Sequence, residues 1–544
     1  MGRAILCCLL LGATTSVRAA IGPELLASHH GNHAGDRLGL FVCDAGDLDG
    51  DGTADFAIGA PGGRGNGLSA GEVWVYLDGT DLDGDPGLLL GGEADGDQFG
   101  TSVRGCGDVN GDGWDDLVVG APRNDAAFDN AGRAYVYFGG PSLDDQADLV
   151  IDGPAASAFF GYSVAGAGDL DGNGGGLIVG SPAGTSADGR AFIYLGGAGL
   201  DATADLTLAV PAGGYFGWAV NTAGDFTGDG WDDVIVGGNT LANVYLFAGG
   251  PGLDDQPDLV FSGDAGSNRF GYGLAPAGDV NGDGWDDVII GDMHNGAGGL
   301  YAGRAHVFFG GPGADGQAEL VYTGTTEYGI FGRTVAGAGD LDGDGLDDLI
   351  VGAPTPDTAG HGPGQTFVFL GGDTLGTNRA DTLADYVFTG AAESDRLGAQ
   401  VAIVGDQNGD GRPDFLVGAD LADSVVGASS GVFYLYGLVD SLVVPEEPLP
   451  LPRRFVLAQN TPNPFNPSTT IAFDLLEDSP ILLQVLDLQG RLVRELASVY
   501  LYAGPQSFVW DGRDRRRREM PSGVYLYRLA TPVREETRAM TLLR

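Results

Sequence analysis

Seven times this chain sets oxygen-bearing side chains on alternate residues and separates them with glycines. In GDVNGDGWDDLVVGAP, residues 107–122, Asp108, Asn110 and Asp112 take the first, third and fifth places of a loop. The Trp114 carbonyl falls at the seventh place and Asp116 at the ninth. Hard cations such as Ca²⁺ want six to eight oxygens, and carboxylates, amide oxygens and backbone carbonyls at odd loop positions supply them. Gly113 falls at the sixth place, where such a loop must turn sharply. The residue types and their spacing therefore point to calcium.

The ladder recurs in five more copies. They run through Asp47, Asp49, Asp51, Thr53 and Asp55, and through Asp225, Thr227, Asp229, Trp231 and Asp233. Next come Asp279, Asn281, Asp283, Trp285 and Asp287, then Asp340, Asp342, Asp344, Leu346 and Asp348, and last Asp406, Asn408, Asp410, Arg412 and Asp414. The seventh residue of each set offers its backbone carbonyl. About six Ca²⁺ sites are expected. The copy from Gly168, GDLDGNGGGLIVGSP, is one residue short. After Asp169, Asp171 and Asn173, counting forward places Leu177 where an acid should stand, so this loop is expected to be empty or weak. Asp-Gly runs also make plain turns. Six copies holding oxygen at the same odd places argue for ligands instead. An EF-hand would need a bidentate Glu at the twelfth place, where Val119 stands, and Leu-Val-Val-Gly favours a strand after the loop. Each loop therefore joins two β-strands, which excludes a dockerin as well.

The elements that must position these loops repeat with them. The copies are spaced 54 to 66 residues apart. Nine residues before each first Asp stands an aromatic or Leu followed by Gly: Leu38, Phe99, Phe160, Phe216, Phe270, Phe331 and Leu397. Periods of this size with short strands and Gly-rich turns indicate a propeller. Each repeat reads as four strands, in the sixth FGRTVAGAG, DDLIVGAP, QTFVFLGG and ADYVFTG. The seventh copy runs out of a fourth strand after SGVFYLYGL. The early segment PELLASHH resembles the fourth strands elsewhere, so the N-terminal end is expected to complete the last blade and close the ring.

Composition narrows the function. The chain has 544 residues, 98 of them Gly, 43% hydrophobic residues and a net charge of −48. All 27 basic residues are Arg. Nucleic acid and anionic membrane are poor partners for such a chain, and the missing Lys excludes a Walker-type phosphate loop and Schiff-base chemistry. Arg3, the apolar run from Ala4 to Ala13 and the small residues near Ala19-Ala20 read as an export signal over residues 1–20. Cys7 and Cys8 fall inside it. Cys43 and Cys106 occupy positions held by Ala336 and Ala338 in another copy, so they read as small core residues, with a disulfide between them left open. No later segment reaches about 18 consecutive apolar residues, so no transmembrane helix is expected.

With the Phe-Gly pairs, the loops and Gly-Ala-Pro at Gly59, Gly120 and Gly352 in view, residues 22–438 resemble the FG-GAP repeats of integrin α-subunits and their bacterial relatives. The resemblance implies an all-β chain with a seven-bladed β-propeller over residues 21–440 and calcium in hairpin loops on one face. It covers the integrin head only. Four prolines in LVVPEEPLPLP suggest a linker over residues 441–452. Beyond it, alternating runs suggest a small antiparallel sandwich over residues 453–544. The segments QNTPNPFNPSTTIAF, LDLQGRLVREL, WDGRD and SGVYLYRL resemble the FlgD-type immunoglobulin-like domain and the C-terminal sorting domains of type IX secretion. That resemblance implies delivery to, or anchoring at, the cell surface by secretion machinery. Asp514 is followed by four arginines where relatives carry a glycine turn, so a different loop is expected there.

No HExxH or Cys-His pairing appears. HHGNH, with His29, His30 and His33, reads as a solvated loop with the composition of a transition-metal site, and His306 as a packed strand residue. Most acids are committed to the repeat. The favoured reading is an exported, non-catalytic calcium-binding propeller that mediates adhesion or partner binding. The alternative is a carbohydrate-active or other hydrolytic propeller with its acids in the variable loops. Those variable segments should share the face opposite the calcium loops. They carry Phe128, Tyr215, Tyr301, Tyr328, His294 and His361, and that face is where a protein or glycan ligand is expected.

Overall fold

The computed structural model describes residues 20–441 and 455–544, apart from residues 78–85, 184–188, 211–213, 265–268, 356–361, 372–378, 425–426, 476–478, 487–490, 502–503 and 532–534. The export signal through residue 19, the linker from residue 442 and His361 lie outside the described residues. Two compact units divide at residue 442.

The first unit holds seven antiparallel four-stranded blades; six have their strands in consecutive order, the seventh takes its outer strand from the N-terminal end, and the fifth carries an added parallel strand. Blade 2 is Ser102–Gly107, Asp116–Ala121, Arg133–Tyr137 and Leu149–Asp152. Its second strand, DLVVGA, is buried at all six positions, as a short apolar β-branched run bounded by turns should be. Its fourth strand buries one residue and exposes those beside it, which marks the outer edge. The first strands line the axis. Phe41–Gly46 lies against Ser102–Gly107 on one side and Val401–Val404 on the other, so blade 7 meets blade 1 and the ring is closed. The molecule is all-β, and this unit is a seven-bladed propeller.

Closure uses both ends of the unit. Ala20–His30 pairs antiparallel with Val432–Ser441, setting Pro23 opposite Leu438 and His30 opposite Val432. The N-terminal strand thus supplies the outer edge of blade 7, as the sequence led us to expect. The same pairing corrects the reading of HHGNH as a loop. His29 and His30 belong to the strand, and successive strand residues point to opposite sides. The His29 ring stacks on Phe433 at 5.6 Å, whereas His30 is exposed. His33 lies beside Asp36 instead.

The Phe-Gly pairs join blade to blade. All seven leading residues, from Leu38 to Leu397, are at most 1% exposed. Phe99, Phe160 and Phe331 form parallel bridges with Gly71, Gly132 and Gly303, the residues that open the third strand of the preceding blade. Gly71 has φ +92°, and a Cβ there would collide with the Phe99 backbone, so only glycine fits. Cores therefore form between blades. Val73, Val75 and Leu90 of blade 1 pack with Leu117, Val119 and Tyr135 of blade 2. Cys43 and Cys106 are buried and free, not bridged. One connector departs from the repeat: Arg379–Ala380, between the third and fourth strands of blade 6, pairs with Tyr322–Thr323 along the outer edge of blade 5.

The second unit is a sandwich of a three-stranded and a four-stranded sheet. Trp510, Tyr527, Leu483 and Met540 fill its core. NTPNPFNPST closes one end: Phe465 is buried, and Asn460 Nδ2 donates to Pro462 O and Thr469 Oγ1 at 3.0 and 2.9 Å. The arginine run still makes a tight turn. Arg517 takes the left-handed conformation at φ 61°, and the Asp514 carboxylate accepts from the backbone of Arg516 and Arg518.

Candidate metal loops and the opposite face

All thirty predicted ligand residues fall in the six loops between first and second strands or open the second strand. The local geometry follows from the glycines. In blade 2, Asp108 accepts backbone N–H from Gly111 at 2.7 Å and Gly113 at 2.8 Å, so its carboxylate sits at the centre of the turn. Asn110 Oδ1 accepts from Asp112 N at 2.8 Å, and Asp112 Oδ1 from Trp114 N at 3.1 Å. Asp108 Oδ1 also accepts from Asp112 N at 3.0 Å. Loops 1, 5, 6 and 7 repeat this pattern at Asp47, Asp279, Asp340 and Asp406. In blade 4, Asp225 accepts from Asp229 N and Gly230 N, both at 2.9 Å.

The oxygens converge. One carboxylate oxygen from each of Asp340, Asp342 and Asp344 lies within 4.8 Å of the others, and so do those of Asp47, Asp49 and Asp55. Like charges this close repel. The donor set is wholly hard oxygen, which fits Ca²⁺ and not a thiophilic metal.

The ninth-place acid does more than point into the loop. Asp116, Asp233, Asp287 and Asp348 are fully buried. Asp116 Oδ2 accepts from Val109 N and its Oδ1 from Gly139 N, both at 2.9 Å. It thereby ties the loop to the connector between the third and fourth strands of its own blade. Burial pushes its carboxyl up to about 6, with Asp112 and Asp108 adding to the rise against the two backbone donors. Burial lifts Asp233, Asp287, Asp348 and Asp414 to about 7.

The short copy is resolved differently from a forward count. Gly168 pairs with Gly176, as Gly107 pairs with Asp116. Gly176, not Leu177, stands in the acid's place, and Leu177 is a buried strand residue aligned with Leu117. The deletion is absorbed inside the loop because the apolar strand keeps its register.

Sequence reasoning missed the residue beside the ninth acid. Asp115 Oδ2 accepts from Asp47 N of the preceding blade at 2.9 Å. Asp232, Asp286 and Asp347 accept likewise from Asp169, Asp225 and Asp279, at 2.6, 3.0 and 2.7 Å. The signal was present as the doublets Asp115-Asp116, Asp232-Asp233, Asp286-Asp287 and Asp347-Asp348. Where the doublet is broken, at Ala54, Gly175 and Pro413, no carboxylate can reach back. A Cβ on Gly46 would collide with Asp115, which explains the glycine before the first Asp. The seventh-place side chain adds a second link: Trp114 lies over Gly50 of the preceding loop and Gly140 of its own blade.

The variable segments gather at the other end. The connector between second and third strands meets the connectors that enter and leave its blade: Asn124 Nδ2 donates to Asp97 at 2.8 Å, and Ser157 N to Asp129 O at 2.8 Å. Here His294, Tyr301 and Tyr328 form a chain of rings, with centroids 4.7 and 5.6 Å apart. Tyr301 and Phe128 are exposed, and Tyr215 lines a cavity on the axis. His306 is buried edge-on against Phe270, near Asp264 and Asp292.

The FG-GAP repeat model matches residues 44–76, 99–137 and 331–369, each beginning in or just before a first strand and ending in a third. Integrin alpha-5 of Xenopus laevis is 33% identical over 220 residues, 39% of this chain and 20% of that protein. Integrin alpha-IIb of Homo sapiens is 36% identical over 223 residues, again 39% of this chain and 20% of that protein. The chain thus spans about a fifth of the length of these relatives. A solved FLGD structure from P. aeruginosa aligns with 16% of this chain and 65% of its own, at 22% identity and a TM-score of 0.12. The FG-GAP repeat model thus matches three stretches of the propeller, and about two fifths of the chain is similar to part of the integrin α-subunits.

Proposed function

We propose that the protein is an exported or cell-surface, non-catalytic calcium-binding propeller that mediates adhesion or partner binding. The observation that carries this reading is the division between the propeller's ends. Six loops of one oxygen pattern crowd one end, and the residues that differ from blade to blade gather at the other. Asp47, Asp108, Asp225, Asp279, Asp340 and Asp406, with the third-, fifth-, seventh- and ninth-place residues of their loops, would hold Ca²⁺. The ion would neutralise the carboxylates and stiffen the loop rather than take part in a reaction. A rigid ring would then present the variable face to a protein or glycan.

The C-terminal sandwich fits a sorting or anchoring role, served by secretion machinery. A chain ending at Pro452 should keep the propeller but fail to attach to cells; equal attachment with and without residues 453–544 removes this part of the reading. For the propeller, the test is calcium stoichiometry by equilibrium dialysis. Six ions per chain are expected. A count of seven would show the short loop to be a site, and a count of zero would end the calcium assignment.

A further inference from the structure

On the axis of the propeller, toward the variable face, lies a cavity of about 530 Å³. Its lining includes Arg37, Arg104, Arg123 and Arg333 and no Asp or Glu. This is the reverse of the rest of the chain, which carries 75 acids against 27 arginines. One of the four is already paired: Arg37 shares the fully buried Asp420 with Arg396. Among the described residues, no carboxylate bonds to Arg104, Arg123 or Arg333. Arg104 Nη1 donates to Val42 O and Val103 O at 3.4 and 3.2 Å, and Arg333 Nη1 to Ala399 O at 2.9 Å. Burial holds the Arg104 guanidinium below its ordinary value, and its ionisable neighbour there is the buried Cys43 thiol, itself pushed up to about 12. Unneutralised guanidinium groups gathered in one partly desolvated space are costly unless an anion joins them.

One wall of the cavity is aromatic. Tyr162 lies 4.4 Å from Trp218, and Trp218 5.7 Å from Tyr272, between ring centroids. The Arg333 guanidinium sits 5.7 Å over the Tyr272 ring. Tyr162 is close enough to Arg333 and Arg123 to feel both charges. Planar guanidinium forks match a carboxylate with two parallel hydrogen bonds. The rings offer a flat apolar surface to the body that carries it. The volume falls within the range of small-ligand pockets, ~300–1,000 Å³. Tyr162, Trp218, Tyr272 and Arg333 take the same place in four consecutive blades, directly after the Phe-Gly pair, where the residue type changes from blade to blade.

We propose that this cavity binds a ring-bearing organic carboxylate, of the kind found in an acidic sugar. The proposal rests on the reading that the variable face is the ligand face, and names the ligand's chemistry there. The test is calorimetric titration of the calcium-loaded full chain with glucuronate, glucose and inorganic sulfate, with calcium counted in the same samples. Glucuronate should bind at least tenfold more tightly than either control. Arg123→Ala and Arg333→Gln should each weaken it about tenfold or more, the scale of one charged hydrogen bond. Arg123 is exposed, so its variant should fold, and an unchanged melting curve verifies that. Absent glucuronate binding, equal binding of sulfate, or binding that survives both substitutions overturns the proposal. So does capture of an acidic peptide by the same arginines without glucuronate binding. A calcium count of six alongside any of these failures leaves the function reading standing.

Discussion

The two ends of the propeller hold opposite solutions to charge. At one end, 20 ligand-place Asp residues sit in six turns of nearly the same sequence. At the other, four arginines line a cavity that has no acid. The first arrangement is local and is made once per blade, so the repeat copies it. The second is built once, from side chains that meet only around the axis. A symmetric scaffold can multiply a loop, but a single asymmetric pocket has to come from positions the repeat leaves free.

That contrast can be broken most readily by removing metal. Each Ca²⁺ site filled tenfold above its Kd adds about 1.4 kcal/mol to native stability. Affinities in the weak extracellular range, about 10⁻⁴ to 10⁻³ M, are expected for such loops. Excess EDTA should therefore lower the Tm by ~10 °C or more, while millimolar calcium restores it. A melting curve indifferent to EDTA would leave the acidic end as a set of plain turns.

Next in size is the buried acid. Asp116→Ala removes the acceptor for Val109 N and Gly139 N. It should cost about 3 kcal/mol and lower the calcium count by one. Asp112→Ala, at an exposed fifth place, should also remove one ion, at a smaller cost in the metal-free chain. Asn173→Ala in the short loop should remove none. Loss of an ion on that last change would show the short loop to be a site.

Smaller again is the link between blades. Asp286→Ala removes the acceptor for Asp225 N. A loss of about 1 kcal/mol is expected, in chemical denaturation, with the calcium count unchanged. A lost ion would move the eighth-place acid into the ligand set.

Least visible in stability are the rings of the variable face. Tyr301→Ala and Tyr328→Ala should shift stability by less than about 0.5 kcal/mol and leave the calcium count alone. Each should weaken capture of a partner by the variable face. Leu143→Ala, in a connector at the loop end, should not; if it weakened capture and the tyrosine changes did not, the faces would be exchanged.

Much of this was legible in the residues because it is local. The turn at Gly113 and the strand after it depend on neighbours in sequence, so seven repeats, four strands each and the odd-place oxygens could be read directly. Even the closure was legible, because PELLASHH carries the pattern of an outer strand. What the tertiary structure decided lies between blades. The eighth-place acids looked like spare charge until Asp115 was seen to cap Asp47, 68 positions away. A forward count placed Leu177 at the missing acid, and only the pairing with Gly168 put Gly176 there. His29 and His30 left the loop assigned to them because the edge of blade 7 needed a strand. The arginines of the cavity have no shared spacing, since ring closure and not chain distance brings them together. Sequence by itself determined the repeating unit and its turn chemistry; the tertiary structure determined every pairing made across the ring, because such contacts depend on how whole sheets stack and leave no periodic mark on the chain.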